Sequence, residues 1–356
     1  MSSLPGETKS ELDQYDYELP KERIAQYPLP QRADARLLVV NRAEQTFSHH
    51  HVRDLPELLA PSDRIVLNNS RVLPARLIGR RDKTEGRWEG LFLESDEHGL
   101  WRMLAKTRGK VAPGETVTLL GPGDQDDIQL SLVKQLPDRS WVGLPQPEEP
   151  LLNVLERVGR IPLPHYIRRG EMIASDRERY QTVFASEAGS VAAPTAGLHF
   201  SEALLEKLEA VGVQREFVTL HVSLDTFRPI TSDSLAEHPM HTEWGQLKAD
   251  VADRLLETRA AGGRIVAIGT TSVRVLESAA AGGELEPWSG KTNLFIRPPY
   301  EFRAVDVLLT NFHLPRTTLL VLVRAFGGDE LIMTAYEEAI RQEYRFYSYG
   351  DAMLIM

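Results

Sequence analysis

Cysteine is absent from all 356 residues. Disulfides, cysteine-held zinc, a thiol nucleophile and a cysteine-ligated iron–sulfur cluster are excluded together. Long apolar runs are missing too: the most apolar stretch, Leu319–Val323, is far too short to span a bilayer. The opening MSSLPGETKSELDQ has no apolar signal core. A soluble cytoplasmic protein with a frayed tail of about a dozen residues is expected. Positive charge is in deficit, 41 Lys and Arg against 51 Asp and Glu, a net of -10. That argues against a general nucleic-acid coat and leaves room for a local basic face.

Helical periodicity is missing from one long region. Between Val72 and about Pro150 there are six short β-type runs: ARLIGRR, RWEGLFLES, LWRMLAKT, TVTLLG, IQLSLVKQL and SWVGLPQ. Turn signals such as Asp96–Gly99, Pro113-Gly114 and Pro137-Asp138 separate them, which suggests a small antiparallel barrel. Gly121-Pro122-Gly123 is no nucleotide loop, because an acidic turn and a strand follow it where a helix is needed. His49, His50 and His51 do not read as a metal site, since neighbours on a strand face opposite ways.

What surrounds that region alternates strands with helices. Arg36–Asn41, Arg64–Asn69, Glu216–Val222, Arg264–Ile268 and Val305–Leu309 read as strands. The helices are 151–158, SEALLEKLEAVG with Ser201 as its cap, 250–261, SVRVLESAAA after Thr271, 316–325 and 329–344. The expected fold is α/β: a mixed, largely parallel sheet with flanking helices, built from residues 1–72 and 151–356 and interrupted by the antiparallel β-barrel at 73–150.

The stretch YQTVFASEAGSVAAPTAGLHF, 180–200, is dominated by small residues. A short strand at Val191–Ala193 should end at Pro194, and the turn that follows presents His199 and Phe200 before a helix capped by Ser201. A tight turn packed under a helix is the plain alternative. Two other strands end similarly. Arg264–Ile268 leads to Thr270, Thr271 and Arg274; Val305–Leu309 leads to Thr310, Asn311 and His313. Parallel strands would gather these groups at one sheet edge, where open α/β folds bind ligands. Thr195, His199, Thr270, Thr271, Arg274, Asn311 and His313 are therefore the expected site. Two basic stretches stand out, Arg64–Lys83 with Arg71 and Arg76, and Arg157–Arg179 with Arg168 and Arg169. They read either as solvated, salt-bridged faces or as phosphate contacts.

The motifs DYELPKERIAQYPL, NNSRVLPARL, GRIPLPHYIRR, RYQTVFA, GSVAAPTAGLHF, VTLHVSLDTFRP, HPMH, IVAIGTTSVRVLES, VDVLLTNFHLP and YRFYSYGDAMLI stand in this order along nearly the whole chain. In them the sequence resembles the S-adenosylmethionine:tRNA ribosyltransferase-isomerases of queuosine biosynthesis. Two departures are local: the family's HVGxGTF reads His221 to Phe227 with Ser223 and Asp225 in place of glycines, and a Pro-Gly turn reads Pro298-Pro299.

The resemblance implies transfer and isomerisation of the ribosyl part of S-adenosylmethionine onto 7-aminomethyl-7-deazaguanine at the tRNA wobble position. Epoxyqueuosine-tRNA forms, and adenine and methionine leave. S-adenosylmethionine is then a consumed cosubstrate, with no true cofactor and no metal, and tRNA is the macromolecular partner. The sulfonium acidifies the adjacent ribose carbon, so a base is needed; His199 and His313, each beside a phenylalanine, are the candidates. His221, His241 and Asp225 stand next in line. Arg274 and the amides near Thr271 are candidates for the methionine carboxylate. Thr195, Thr270, Thr271 and Asn311 would line the cosubstrate, and Arg71, Arg76, Arg168 and Arg169 would meet tRNA. The alternatives are an S-adenosylmethionine-dependent tRNA methyltransferase and a non-catalytic tRNA-binding protein.

Overall fold

The computed structural model describes residues 10–223, 229–232 and 234–356. Ser10 caps a 3-10 turn at Glu11–Tyr15, whose Leu12 and Tyr15 are buried. Leu12 is the first of the described residues to be buried in the core.

The first strands are β1 (Arg36–Asn41), β2 (Thr46–His51), β3 (Arg64–Asn68) and β4 (Ser70–Val72), with the short helix α1 (Leu55–Leu58) before β3. Six strands follow: β5 (Arg76–Arg81), β6 (Arg87–Ser95), β7 (Trp101–Thr107), β8 (Thr116–Leu120), β9 (Asp126–Gln135) and β10 (Trp141–Gln146). Next come α2 (Leu151–Val158), β11 (Gly159–Arg160), α3 (Asp176–Arg179), β12 (Glu187–Ser190), α4 (Glu202–Ala210), β13 (Gln214–Leu220) and β14 (Glu243–Leu247). The chain continues through α5 (Ala249–Ala260), β15 (Ile265–Ile268), α6 (Thr270–Ala279), β16 (Trp288–Thr292), β17 (Val307–Asn311), α7 (Thr318–Gly327), α8 (Asp329–Arg341) and β18 (Ala352–Ile355). The strand expected at Val191–Ala193 forms earlier, as β12. Pro194 has no amide hydrogen to give a ladder, so the small residues before it bend, and a 3-10 turn, Thr195–His199, follows.

Contacts divide the chain into two compact units. One holds Met1–Arg71, Thr182–Glu187 and Ala193–Met356; the other holds Val72–Gln181 and Ala188–Ala192. The segment 73–150 lies in the second unit, which also takes in 151–181.

The first unit is a nine-stranded mixed sheet in the order β16-β14-β13-β3-β15-β17-β18-β1-β2. At its centre β13, β3, β15 and β17 run parallel. The near-continuous apolar runs RLLVVN, RIVLN and IVAI are what strands buried on both faces require. Leu37, Val39, Ile65, Leu67, Val266, Ile268, Val307 and Leu309 line one face, packed with Leu55 and with Leu204, Leu205 and Leu208 of α4. Each fully buried leucine or valine contributes about 1.5–3 kcal/mol. Leu38, Val40, Val66, Ala267 and Leu308 alternate to the other face and are equally buried. The α7–α8 corner covers that side, where Gly327 lies against Ile332 and Ile355.

The second unit is a closed six-stranded antiparallel barrel, β5-β6-β7-β10-β9-β8, shut by pairing of β5 with β8. Closure removes the exposed edges that an open sheet of short strands would present. Trp88, Phe92, Trp101, Met103, Leu130 and Trp141 fill it. Gly90 is obligatory, since a side chain there would run into the indole ring of Trp88. The six strands match the six β-type runs of the sequence.

Candidate functional site

Four parallel strands bring four carboxyl ends to one edge of the first unit's sheet. The edge carries Asn69 and Ser70 after β3, His221 after β13, Gly269 to Thr271 after β15, and Asn311 to His313 at and after β17. The Asn-Asn-Ser sequence holds two of these ends together. Asn68 Nδ2 donates to the Leu220 carbonyl at 3.0 Å, and its Oδ1 accepts from Leu220 N–H and Ser70 N–H, both at 3.1 Å. Asn69 Oδ1 accepts from the Thr219 hydroxyl at 2.8 Å. The asparagine amides thus continue the ladder past the point where backbone pairing stops.

Asn311 joins two other sequence-expected residues, Thr195 and His199. Thr195 Oγ1 donates to Asn311 Oδ1 at 2.8 Å, and Asn311 Nδ2 donates to His199 Nε2 and to the Tyr347 carbonyl, each at 3.2 Å. With Nε2 accepting, the His199 proton sits on Nδ1. His199 is fully enclosed. Burial first, then the Arg345 and Arg32 cations, lower its pKa to about 4. His313 is placed separately: its Nε2 is 2.8 Å from Thr310 Oγ1, its N–H donates to Tyr336 Oη at 2.9 Å, and its carbonyl accepts from Tyr17. Burial lowers its pKa to about 3. Both rings are neutral near pH 7.

At α6 the chain turns through Gly269, whose φ of 89° is left-handed. Thr270 and Thr271 follow, both buried, and Thr271 Oγ1 is enclosed with no hydrogen-bond partner among the described residues. A Cβ placed on Gly269 would lie 3.3 Å from Ala196 Cβ and 3.6 Å from Thr271 Oγ1, so the Thr195–His199 turn and the α6 N-terminus close on the same spot. Arg274, one turn further, forms a buried ion pair with Glu243 and also reaches the carbonyls of Leu294 and Thr292. The other Glu243 oxygen accepts from Ser223 N–H at 2.7 Å. A small pocket lies beside this pair, lined by His238, Met240, His241, Phe295 and Leu322 among others. Asp225, and with it most of the segment where the sequence departs from HVGxGTF, lies outside the described residues.

The basic stretches are largely paired, with partners both near and far in sequence. Within the first unit Arg64 meets Glu216, and Arg71 is exposed. Within the second, Arg81 pairs with Glu115, Arg157 with Glu149 and Asp127, and Arg76 with Glu89 and the Gly170 carbonyl. Arg168 is anchored on Asp176, which is fully buried. Arg169 next to it is exposed, and its guanidinium makes no ion pair among the described residues. Ser70, Glu243 and His238 belong to this picture and are not among the site residues expected from the sequence. The polar triplet Asn68-Asn69-Ser70, ending an apolar strand as the threonines end theirs, was the available signal.

Residues 12–355 match the family described as queuosine biosynthesis protein. Among curated proteins, the chain is 46% identical over 355 residues to an S-adenosylmethionine:tRNA ribosyltransferase-isomerase of Symbiobacterium thermophilum, covering 97% of this chain and 99% of that one. It is 48% identical over 350 residues to the protein of the same name from Acidithiobacillus ferrooxidans, covering 96% of each. Among solved structures it is similar to a crystal structure of an S-adenosylmethionine tRNA ribosyltransferase from Thermotoga maritima. The identity is 38% and the TM-score 0.55, over 96% of this chain and 100% of that one.

Proposed function

The chain belongs to the queuosine biosynthesis family and is an enzyme of the ribosyltransferase-isomerase type, and from that premise we propose its substrates and site. It transfers and isomerises the ribosyl moiety of S-adenosylmethionine onto 7-aminomethyl-7-deazaguanine at the wobble position of tRNA, giving epoxyqueuosine-tRNA, adenine and methionine. S-adenosylmethionine is consumed as a carbon skeleton, with no further cofactor or metal. The reaction belongs where tRNA is, in the cytoplasm; among the described residues no helix is long and apolar enough to cross a membrane.

The observation that carries the reading is the convergence at the carboxyl edge of the central strands. Thr195, Asn311 and His199 form one hydrogen-bonded frame, and the Thr271 hydroxyl, with no partner among the described residues, stands at the α6 N-terminus against it. Exposed amides and an oriented dipole at a helix N-terminus suit a carboxylate, so we place the methionine carboxylate at Thr270 and Thr271. The charge of Arg274 is already met by Glu243, so the helix amides rather than this cation receive the carboxylate. His199 and His313, neutral and already bonded at Nε2, frame the site. Arg71, Arg76, Arg168 and Arg169 are the proposed tRNA-side residues. Arg169 makes the phosphate contact, and Arg76 and Arg168 hold its turn.

The test is incubation of the protein with S-adenosylmethionine and tRNA bearing the aminomethyl-deazaguanine, followed by nucleoside mass analysis. The expected result is the epoxycyclopentane adduct with stoichiometric adenine. Methyl-group label in tRNA would establish a methyltransferase instead, and tRNA binding without adenine release a non-catalytic binder.

A further inference from the structure

Resting on that reaction, the geometry points to His221 as the base that takes the ribose C5′ proton of S-adenosylmethionine, with Ser70 as the residue that positions its ring. The reaction needs a base at the carboxyl edge, and an imidazole serves when one nitrogen is anchored and the other open. His199 and His313 have their Nε2 engaged inside the protein, by Asn311 and Thr310. His221 is built the other way round. It follows β13 directly, and its Nδ1 lies 2.8 Å from Ser70 Oγ, at the end of the adjacent parallel strand β3. Its ring stacks on Trp244, centroids 5.2 Å apart at 23°, and its N–H donates to the Trp244 carbonyl at 2.9 Å. Nε2 makes no hydrogen bond among the described residues. The side chain is half-buried.

Electrostatics agree with this placement. Burial lowers the His221 pKa and Glu187 opposes that, so the ring is held neutral near pH 7 with a carboxylate at hand for the imidazolium. The Ser70 bond is itself held in place, because Asn68 accepts the Ser70 N–H and both backbone groups of Leu220 bond Asn68. The residue before His221 and the residue that orients it are thus fixed by one amide. In the step, the Nε2 lone pair takes a C5′ proton. The C–H electron pair remains on C5′ as an ylide beside the sulfonium, and His221 becomes an imidazolium that later returns the proton to solvent or to product.

The test uses the full chain with aminomethyl-deazaguanine tRNA. His221→Asn retains a group at the Nδ1 position for Ser70 and deletes Nε2. It should keep S-adenosylmethionine affinity within about twofold, while kcat and exchange of the ribose 5′ hydrogens with solvent fall by about 100-fold or more. Ser70→Ala, which leaves the ring but removes its anchor, should lower kcat roughly tenfold at unchanged KM, the signature of lost positioning. A His221→Asn variant that exchanges and turns over within threefold of the parent overturns the assignment. So does one that loses S-adenosylmethionine binding in step with activity, or a Ser70→Ala variant of parental kcat. If the parent releases no adenine, the reaction proposed above fails instead, whatever the variants do.

Discussion

His313 shows what enclosure does to a single side chain. Its unfolded ring takes a proton near 6.5, while in the fold burial lowers the pKa to about 3; His199 is lowered to about 4. As pH drops below 6.5, the unfolded chain gains protons that the folded one refuses. Stability is therefore complete above that pH and is lost progressively as pH falls toward the folded values, by about 1.4 kcal/mol per pH unit for each ring. The thermal midpoint should decline from pH 6.5 to pH 4, and His313→Gln should show a slope shallower by one proton. Calorimetric midpoints at half-unit steps decide it; equal slopes in parent and variant would remove His313 from the account. His313 follows β17 as the sequence implies, whereas His199 closes a 3-10 turn, because the strand before it ends at Ser190. Their enclosure was not legible, because Asn311 and Arg345 come from more than a hundred positions downstream of His199.

At the scale of elements, the turn 168–170 is the segment where backbone and charge act together. Arg168, Arg169 and Gly170 have φ of 43°, 57° and 81°, and the two arginines are left-handed against their preference. Arg168 on buried Asp176 and Arg76 on the Gly170 carbonyl hold the turn, so that Arg169 projects outward. Arg169→Glu should leave stability within about 0.5 kcal/mol, weaken tRNA binding and flatten its salt dependence by about one ion. Arg168→Glu should cost about 3–5 kcal/mol by leaving Asp176 buried without its cation. Urea denaturation and tRNA titration at several salt concentrations separate the two; an unaltered salt slope in Arg169→Glu would exclude it as a phosphate contact. Most elements were readable from pattern. β1 is read residue for residue, the six barrel strands follow their β-type runs, and Ser201 caps α4 as its sequence implies. Val191–Ala193 was misread because a run of small residues looks alike in a strand and in a bend. The division of labour between Arg168 and Arg169 was invisible, since adjacent identical residues differ only in what the fold sets opposite them.

For the whole molecule, at a net charge of -10, local counts of arginine overstated the basic faces, because partners such as Glu216 and Glu115 lie outside the arginine-rich stretches and Asp176, inside one, pairs with Arg168. The same separation governs the sheet. Strand β3 is hydrogen-bonded on one side to β13, where Arg64 faces Gln214, and on the other to β15, where it faces Ile265. The barrel lies between β3 and both of these partners in sequence, and its own strands find each other locally. Loop closure over so long a span is slow, and contacts between sequence neighbours form first. The barrel should therefore be the early folding unit. Pulsed hydrogen exchange during refolding should protect Trp88 and Met103 amides before those of Ile65 and Leu67; the reverse order would refute this. During synthesis the apolar β3 has no mate until β13 and β15 have been made. It is thus the segment that a growing chain exposes longest to aggregation, and the one a chaperone would be expected to meet first.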